Sequence, residues 1–147
     1  MKFLFVILTV LCSINISISH AGDVKVSPIV LHSFNSSFKD AAEVKWSISS
    51  KLYKAEFNFN EQYVTAYFDE SGTMVAAIKN ISSFQLPLSL QKSLKKELQS
   101  YWITELFELN NDSGTNYYLT LENAETKLVL KSTGAFDWHT FQRQRKS

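Results

Sequence analysis

The sequence predicts an α+β protein in which two tandem units, each one helix followed by four antiparallel strands, form one eight-stranded sheet with both helices on one face. Three observations support this fold. Residues 44–72 contain three runs of alternating apolar and polar residues separated by short turns, as consecutive antiparallel strands do. Two segments with apolar residues at helical spacing each follow a proline. The second half of the chain then repeats the pattern of the first half.

The N-terminus has the pattern of a secretory signal peptide. A basic start and an apolar run precede Ser19 and Ala21, small residues at the two positions that a signal peptidase inspects. We therefore expect residues 1–21 to be a signal peptide, cleaved near Ala21, and residues 22–147 to form a single domain. The expected location is periplasmic or secreted.

Cys12 is the sole cysteine and lies in this leader. Lipid attachment there is the alternative to simple cleavage, but that chemistry needs a small preceding residue and Leu11 is large. The exported chain would therefore contain no disulfide and no cysteine metal site. No later segment approaches the roughly 20 apolar residues of a membrane-spanning helix, so we expect no membrane span.

Charge argues against nucleic acid as a partner. Removing the leader removes Lys2, so that Lys plus Arg falls from 15 to 14, against 14 Asp plus Glu. Binding to phosphates depends on clustered Lys and Arg, and this balanced chain has one basic group at its end: Arg143, Arg145 and Lys146. A solvated tail is the simpler interpretation of that group, and weak contact with an anionic surface is the alternative.

Ser27 and Pro28 predict the start of the first helix, because the hydroxyl can cap free amides and proline is tolerated at the first helical position. The apolar residues at helical spacing are Val30, Leu31, Phe34 and Phe38. Parity then assigns the inward residues of four strands. They are Val44, Trp46 and Ile48, then Ala55, Phe57 and Phe59, then Val64, Ala66 and Phe68, and finally Met74, Ala76 and Ile78.

Pro87 begins the second unit, which matches the first at offsets of 60 and 62 residues. The matched residues are Val30, Phe34 and Phe38 with Leu90, Leu94 and Leu98, then Phe57, Phe59, Ala66, Phe68 and Gly72 with Leu119, Leu121, Leu128, Leu130 and Gly134. The two units span about 27–82 and 86–142. In the fifth strand Phe107 and Leu109 predict one buried face, but Leu106 has the opposite parity, so its facing stays open.

These residues resemble the PepSY-like family with a β-lactamase-inhibitor-like fold, a group of small exported bacterial proteins. The resemblance covers nearly all of the chain after the leader and is carried by residues 44–46, 53–59, 67–72, 86–87 and 117–121. It implies a periplasmic or secreted location and the doubled helix-plus-four-strand fold. Its inhibitor and propeptide relatives imply protein binding by analogy.

Catalytic and metal chemistry find little support, and we expect a protein that is not an enzyme and holds no cofactor or metal. A hydrolytic triad needs a nucleophile beside an oriented base, and the only histidines after the leader are His32 and His139, far apart in the chain. Asp69 and Glu70 precede Ser71 and a glycine. Such carboxylates more often shape a turn than bind calcium, which needs more oxygen ligands at set spacing.

The face of the sheet opposite the helices is the predicted binding surface. Its tyrosines and polar residues have the composition of a protein-binding surface, although tyrosine and threonine also simply favour strands. The predicted contact residues are Tyr63, Tyr67, Tyr118, Lys45, Lys54, Thr65, Thr120 and Lys131. The partner would be an unknown protein of the cell envelope, bound by a monomer.

The alternative function is carriage or turnover of a small apolar ligand in a pocket between helices and sheet. The residues that would surround such a pocket are Trp46, Phe57, Phe68 and Trp138. They are more simply explained as the core itself, because packed interiors leave few voids.

Overall fold

The computed structural model describes residues 24–146, so the expected signal peptide lies outside the described residues. Two helices and eight strands follow one another in the order helix, four strands, helix, four strands. Their bounds are α1 (Pro28–Ser37), β1 (Ala42–Ser49), β2 (Leu52–Phe59), β3 (Gln62–Phe68), β4 (Met74–Asn80), α2 (Leu88–Glu97), β5 (Trp102–Asn111), β6 (Gly114–Glu122), β7 (Thr126–Thr133) and β8 (His139–Arg145). A short 3-10 turn, Ser83–Gln85, precedes α2.

The eight strands form one antiparallel sheet in which each strand pairs with its neighbour in sequence. Two of the hairpins use two-residue turns with positive φ at both positions, Ser50–Lys51 and Asn60–Glu61. This geometry follows the right-handed twist of the strands and is the reason that such turns favour glycine. The fold class is therefore α+β, as predicted.

The first helix begins where the sequence predicts. The Ser27 hydroxyl accepts a hydrogen bond from the Val30 amide at 3.4 Å, and Pro28 occupies the first helical position. Val30 and Phe34 are buried against the sheet. Burying two such side chains contributes about 1.5–3 kcal/mol each, more than the helix gains from its own propensity.

Both helices lie on one side of the sheet, which we call the helix side. Cross-strand partners share a side, and one line of partners runs through Val64, Lys79, Glu108, Tyr117 and Ser132. Val64 belongs to the cluster that packs on α1, and Tyr117 belongs to the cluster that packs on α2. The two halves of the hydrophobic layer are therefore on the same side.

The predicted facing of β4 is wrong. Ile78 pairs with Thr65, and Ala76 pairs with Tyr67, so both point away from the helices. An extra residue, Val75, lies between the partners of Tyr67 and Phe68. This bulge changes the parity of the strand relative to its predecessor.

A second bulge, in β5, determines which side of the sheet the residues of that strand face. The register shifts between Ile103 and Glu105, so that Ile103 and Leu106 both face the helix side although they are three residues apart. Phe107 and Leu109 face away from it. A bulge of this kind removes the strict alternation on which parity depends.

Smaller differences concern the ends of elements. Ile48 and Leu98, predicted to face inward, are exposed. The expected C-terminal tail is largely strand, since Arg143 and Arg145 belong to β8 at the edge of the sheet. No helix in residues 24–146 has the length and apolar character needed to cross a bilayer.

Candidate binding surface on the open face of the sheet

The surface opposite the helix side, which we call the open face, is the candidate site. A second line of cross-strand partners runs through Lys45, Glu56, Thr65, Ile78 and Leu109 and defines it. The same register places on this face all of the residues predicted to contact a partner, namely Lys45, Lys54, Tyr63, Thr65, Tyr67, Tyr118, Thr120 and Lys131. Within residues 24–146, no helix packs on it.

Their exposure differs from the prediction. Tyr63 is 48% exposed, but Tyr67 is only 3% exposed, Tyr118 1% and Thr120 3%. The expectation that all three tyrosine rings are open to solvent is therefore wrong for two of them. The physical reason is that β2, β4 and β5 present apolar side chains on this face and bury the rings between strands.

These side chains form a continuous apolar layer at the centre of the open face, which we call the floor cluster. Its members are Leu52, Tyr67, Ala76, Ile78, Phe107, Leu109 and Tyr118. The Phe107 and Tyr118 rings stack with centroids 5.1 Å apart, and Phe141 meets the Tyr118 ring edge-on at 5.9 Å. The neighbouring apolar pair at Leu106 and Phe107 signals in the sequence that both faces of β5 are apolar.

At one end of the open face, a carboxylate organises the exposed tyrosine. The Tyr63 hydroxyl donates to Glu56 Oε1 at 2.9 Å, and Lys54 Nζ lies 2.9 Å from the same oxygen. Burial, followed by the hydrogen bond and charge of Glu56, raises the pKa of Tyr63 to about 12. Burial also raises the pKa of Tyr67. Both phenols therefore stay neutral at physiological pH.

A groove of about 440 Å³ opens beside Tyr63 and Glu56. Glu43 lines it in a left-handed conformation (φ 56°), at an irregularity in the β1–β2 register. The Asn58 side-chain amide donates to Glu43 Oε2 at 2.6 Å. This hydrogen bond fixes the carboxylate at the edge of the open face.

At the opposite end, a second charged cluster surrounds an exposed tryptophan. Lys146 Nζ lies 2.6 Å from Glu122 Oε2 and 5.5 Å from the centroid of the Trp102 ring. The hydrogen bond from Lys146 lowers the pKa of Glu122, and Lys127 adds a weaker contribution. Lys146, predicted to be in a solvated tail, is therefore held in place on this face. Trp102 is a candidate contact residue that the sequence analysis missed.

Two lysines of the predicted site belong to none of the ion pairs found among the described residues: Lys45 and Lys131. Lys131 Nζ lies 5.5 Å from the centroid of the Tyr118 ring, a cation–π arrangement. Lys45 is exposed on the edge strand β1. These charges are available to carboxylates of a partner.

The residues considered for chemistry lie on different elements. His32 lies on α1, and His139 begins β8 on the open face, as the cross-strand partner of Lys131; both histidines are exposed. Across residues 24–146, no group of three His, Cys, Asp or Glu side chains could hold a metal ion.

Asp69 Oδ1 accepts hydrogen bonds from the Ser71 hydroxyl at 2.6 Å, the Thr73 amide at 3.0 Å and the Ser71 amide at 2.9 Å. The hydrogen bond from the Ser71 hydroxyl, followed by those from the two amides, lowers the pKa of the Asp69 carboxyl. The carboxylate thus closes the turn between β3 and β4.

The four aromatic residues of the alternative pocket are packed as core, the interpretation that the sequence favoured. The Phe34 ring fills the space between Trp46 at 5.2 Å and Phe57 at 4.9 Å, with Phe68 beyond at 6.2 Å between centroids. Trp138 belongs to the other cluster, where its indole N–H donates to the Leu90 carbonyl at 3.2 Å. These aromatic residues are core, distributed between two helices.

Comparison with known proteins identifies the fold. No family model matches the chain, and no curated protein matches it. The structure is similar to a BLIP-like protein from Bacteroides fragilis, with a TM-score of 0.71 and 16% identity, over 84% of this chain and 89% of that one. A DUF2874 family protein from Bacteroides ovatus gives a TM-score of 0.72 and 16% identity over the same shares.

A third structure, from Bacteroides eggerthii and provisionally named as periplasmic, gives a TM-score of 0.72 at 13% identity, over 82% of this chain and 88% of that one. Sequence identities this low support a similarity of fold alone. The resemblance to inhibitor-like proteins is therefore supported at the level of fold, while PepSY-like membership stays a prediction. The chain has the fold of the BLIP-like and DUF2874 proteins of Bacteroides.

Proposed function

We propose that this protein is an exported, non-enzymatic binding module that holds a folded protein partner on its open face. The observation that carries the proposal is a set of exposed side chains, Tyr63, Trp102 and Lys45, around the buried floor cluster on a face with no described helix above it. Exposed aromatic residues with a polar rim are typical of protein-binding surfaces. The inhibitor-like resemblance of the sequence and the BLIP-like structural neighbour support the same class of function.

The size of the open face fits a protein better than a short peptide. Eight strands at a spacing of about 4.8 Å extend over about 34 Å, and a strand of seven residues at about 3.3 Å each is about 23 Å long. The product is about 800 Å², which is the area that one partner contributes to a standard interface.

Within this proposal the predicted site residues take different roles. Tyr63 and Thr65 make direct contact, and Lys45 and Lys131 pair with carboxylates of the partner at opposite ends of the face. Trp102 joins them as an exposed aromatic anchor. The remaining predicted residues, Lys54, Tyr67, Tyr118 and Thr120, position the others from the rim and the floor.

The location and the internal repeat belong to the same proposal. The leader supports export to the periplasm or beyond, followed by action as a monomer. Val30 and Phe34 of α1 are equivalent to Leu90 and Leu94 of α2, and each pair is buried on the inner side of its helix. This equivalence supports two tandem units of one helix and four strands. N-terminal sequencing of the exported protein should begin near residue 22.

A small-ligand function has weaker support. The groove at the C-terminal end of α1, lined by Phe38, Phe59 and Val64 among others, has a volume of about 240 Å³. Ligand pockets commonly measure about 300–1,000 Å³ and bury most of the ligand. The groove of about 440 Å³ beside Glu43 and another of about 500 Å³ beside β5, lined by Ser82, Ile103 and Leu106 among others, reach that size, but both are open to the surface. The experiment below therefore tests protein binding.

A photo-reactive amino acid placed at single positions tests the proposal in intact cells. Thr65 and Lys131 sample the open face, while Lys39 and Glu70 are exposed control positions elsewhere on the surface. We expect a discrete cross-linked adduct from the open-face positions alone. The same adduct should disappear when Tyr63→Ala and Lys45→Glu are combined. Adducts of equal yield from the control positions, or none from the open face, would overturn the proposal.

A further inference from the structure

Three large apolar side chains are exposed together around the first turn of α2. Phe84 lies in the 3-10 turn before the helix and is 87% exposed, Leu88 is the first helical residue and is 66% exposed, and Phe136 lies in the β7–β8 loop and is 79% exposed. We call these three residues the apolar tip. Single exposed apolar residues need no explanation, but a group at one end of a molecule commonly marks an interaction site.

Hydrogen bonds tie the segments of the apolar tip to α2. The Gln91 side-chain amide donates to the Phe84 carbonyl at 3.2 Å, and the Ser89 hydroxyl donates to the Ala135 carbonyl, next to Phe136. The Trp138 indole donates to a backbone carbonyl of the same helix at 3.2 Å. The backbone that carries the tip side chains is therefore held against α2, which lowers the entropic cost of binding.

Positive charge follows the tip along the helix. Leu88, Lys92 and Lys95 are spaced four and three residues apart, so they form one exposed stripe opposite the buried stripe of Leu90 and Leu94. At a rise of about 1.5 Å per residue, the lysines lie about 6 Å and about 10 Å behind Leu88 along the helix axis. Asp137, beside Phe136, is the exposed acid nearest in sequence to the tip residues and opposes the two lysines.

We propose that the apolar tip docks on an anionic phospholipid surface, with Phe84, Leu88 and Phe136 inserted and the lysine stripe at the level of the phosphates. Amphipathic segments at membrane surfaces bury their apolar residues about 5–10 Å into the boundary between headgroups and acyl chains. With the start of α2 pointing into the membrane, the separations of Lys92 and Lys95 from Leu88 along the helix axis match that depth. Charge complementarity favours anionic lipid over a neutral surface.

This inference does not depend on the partner of the open face. It adds a second surface, at the start of α2, through which an exported protein could be concentrated at a membrane while its sheet stays free to bind. The surface needs no membrane-spanning segment.

Vesicle flotation with the purified protein tests the inference. We expect binding to vesicles of phosphatidylethanolamine with phosphatidylglycerol, little binding to phosphatidylethanolamine alone, and weaker binding as salt is raised. Each of Phe84→Ser, Leu88→Ser and Phe136→Ser should weaken binding about tenfold. Lys92→Gln combined with Lys95→Gln should weaken it about 30-fold.

Matched controls distinguish docking by the apolar tip from non-specific hydrophobic adsorption and from vesicle binding through the open face. Ile29→Ser combined with Ile48→Ser removes two exposed apolar side chains elsewhere and should leave vesicle binding unchanged. Tyr63→Ala should also leave it unchanged. Failure of the wild-type protein to bind anionic vesicles, as expected if the tip contacts a protein instead, would overturn the inference. An equal loss of binding in the isoleucine control would do the same. Circular dichroism checks that each single variant remains folded.

Discussion

The Phe107 and Tyr118 rings stack with a centroid separation of 5.1 Å and an angle of 15° between their planes, on the face of the sheet that carries no described helix. Phe107 lies on β5 and Tyr118 is its directly opposed partner on β6. Stacked cross-strand aromatic pairs contribute beyond the area that they bury. The pair joins β5 to β6 within the floor cluster.

The Phe107–Tyr118 pair makes a first prediction about stability. Tyr118→Ala should lower the free energy of unfolding by about 3–5 kcal/mol, because it leaves a cavity in the floor cluster. Tyr118→Phe keeps the ring and should cost far less. A double-mutant cycle with Phe107→Ala, measured by urea unfolding, should give a coupling energy of about 0.5–1.5 kcal/mol. Strict additivity would contradict the packing described here.

Two glycines with positive φ, Gly72 in the turn between β3 and β4 and Gly114 at the start of β6, differ in what a side chain would meet. Gly72 has φ 85°, and a Cβ there would lie 2.9 Å from Ser33 Oγ and 3.1 Å from the Ile29 carbonyl oxygen on α1. Gly114 has φ 103°, with open space around its Cβ position. Both alanine substitutions carry the backbone penalty of a positive φ, but only Gly72→Ala adds a clash.

We therefore expect Gly72→Ala to lower the free energy of unfolding by about 1–3 kcal/mol more than Gly114→Ala does. Thermal or urea unfolding of the two variants measures the difference. Equal destabilisation would mean that the turn does not pack on α1 as described.

The β2–β3 turn offers a stabilising substitution. Asn60 and Glu61 both have positive φ, at 50° and 62°, and the side chain of Glu61 is exposed. Asn-Gly is the preferred pair for this turn, since glycine adopts positive φ without steric cost. Glu61→Gly should raise the free energy of unfolding by about 0.5–1 kcal/mol. The control is Glu70→Gly, at another exposed acid whose φ is not positive, which should give no stabilisation.

The Tyr63–Glu56 pair predicts a dependence on alkaline pH. The folded pKa of Tyr63, about 12, lies above the ordinary value of 10.0, so the neutral phenol is favoured by the fold. As the pH rises, the unfolded state loses the Tyr63 proton first. The stability that the neutral phenol contributes to the fold is therefore fully present below pH 10 and is lost as the pH rises towards 12.

Ultraviolet titration of phenolate, with Tyr63→Phe to identify the signal, measures this pKa. In Glu56→Gln the pKa of Tyr63 should fall, because the anionic acceptor is gone, yet stay above 10 since burial is the largest cause of the shift. A pKa for Tyr63 that does not change in Glu56→Gln would rule out the hydrogen bond as a contributor.

Much of the helix side follows from local patterns. Phe57 and Val64 face α1, and Leu119 and Leu130 face α2, as two-residue alternation predicts. Prediction succeeded there because those strands run without bulges at these residues and carry polar or aromatic residues on their other side. It failed for Ile78, where a bulge in β4 changes the parity. It left the facing of Phe107 open, and a bulge in β5 decides that facing.

The apolar residues of those two strands also explain the error in the candidate site. Parity correctly placed Tyr67 and Tyr118 on the open face, but their exposure depends on what β4 and β5 present beside them. Strand tyrosines without apolar neighbours would be exposed, as Tyr63 is. Burial is a property of neighbours in space, and a single strand's pattern does not contain it.

The sequence by itself determined the order of helices and strands, the capped start of α1 at Ser27 and the side of the sheet on which Tyr63, Tyr67 and Tyr118 lie. Those features depend on capping hydrogen bonds and on the period of two along a strand, both of which are local. Only the tertiary structure decided that Ile78 and Phe107 join Tyr67 and Tyr118 in an apolar floor. That outcome depends on where bulges form between paired strands and on which side chains meet across the sheet.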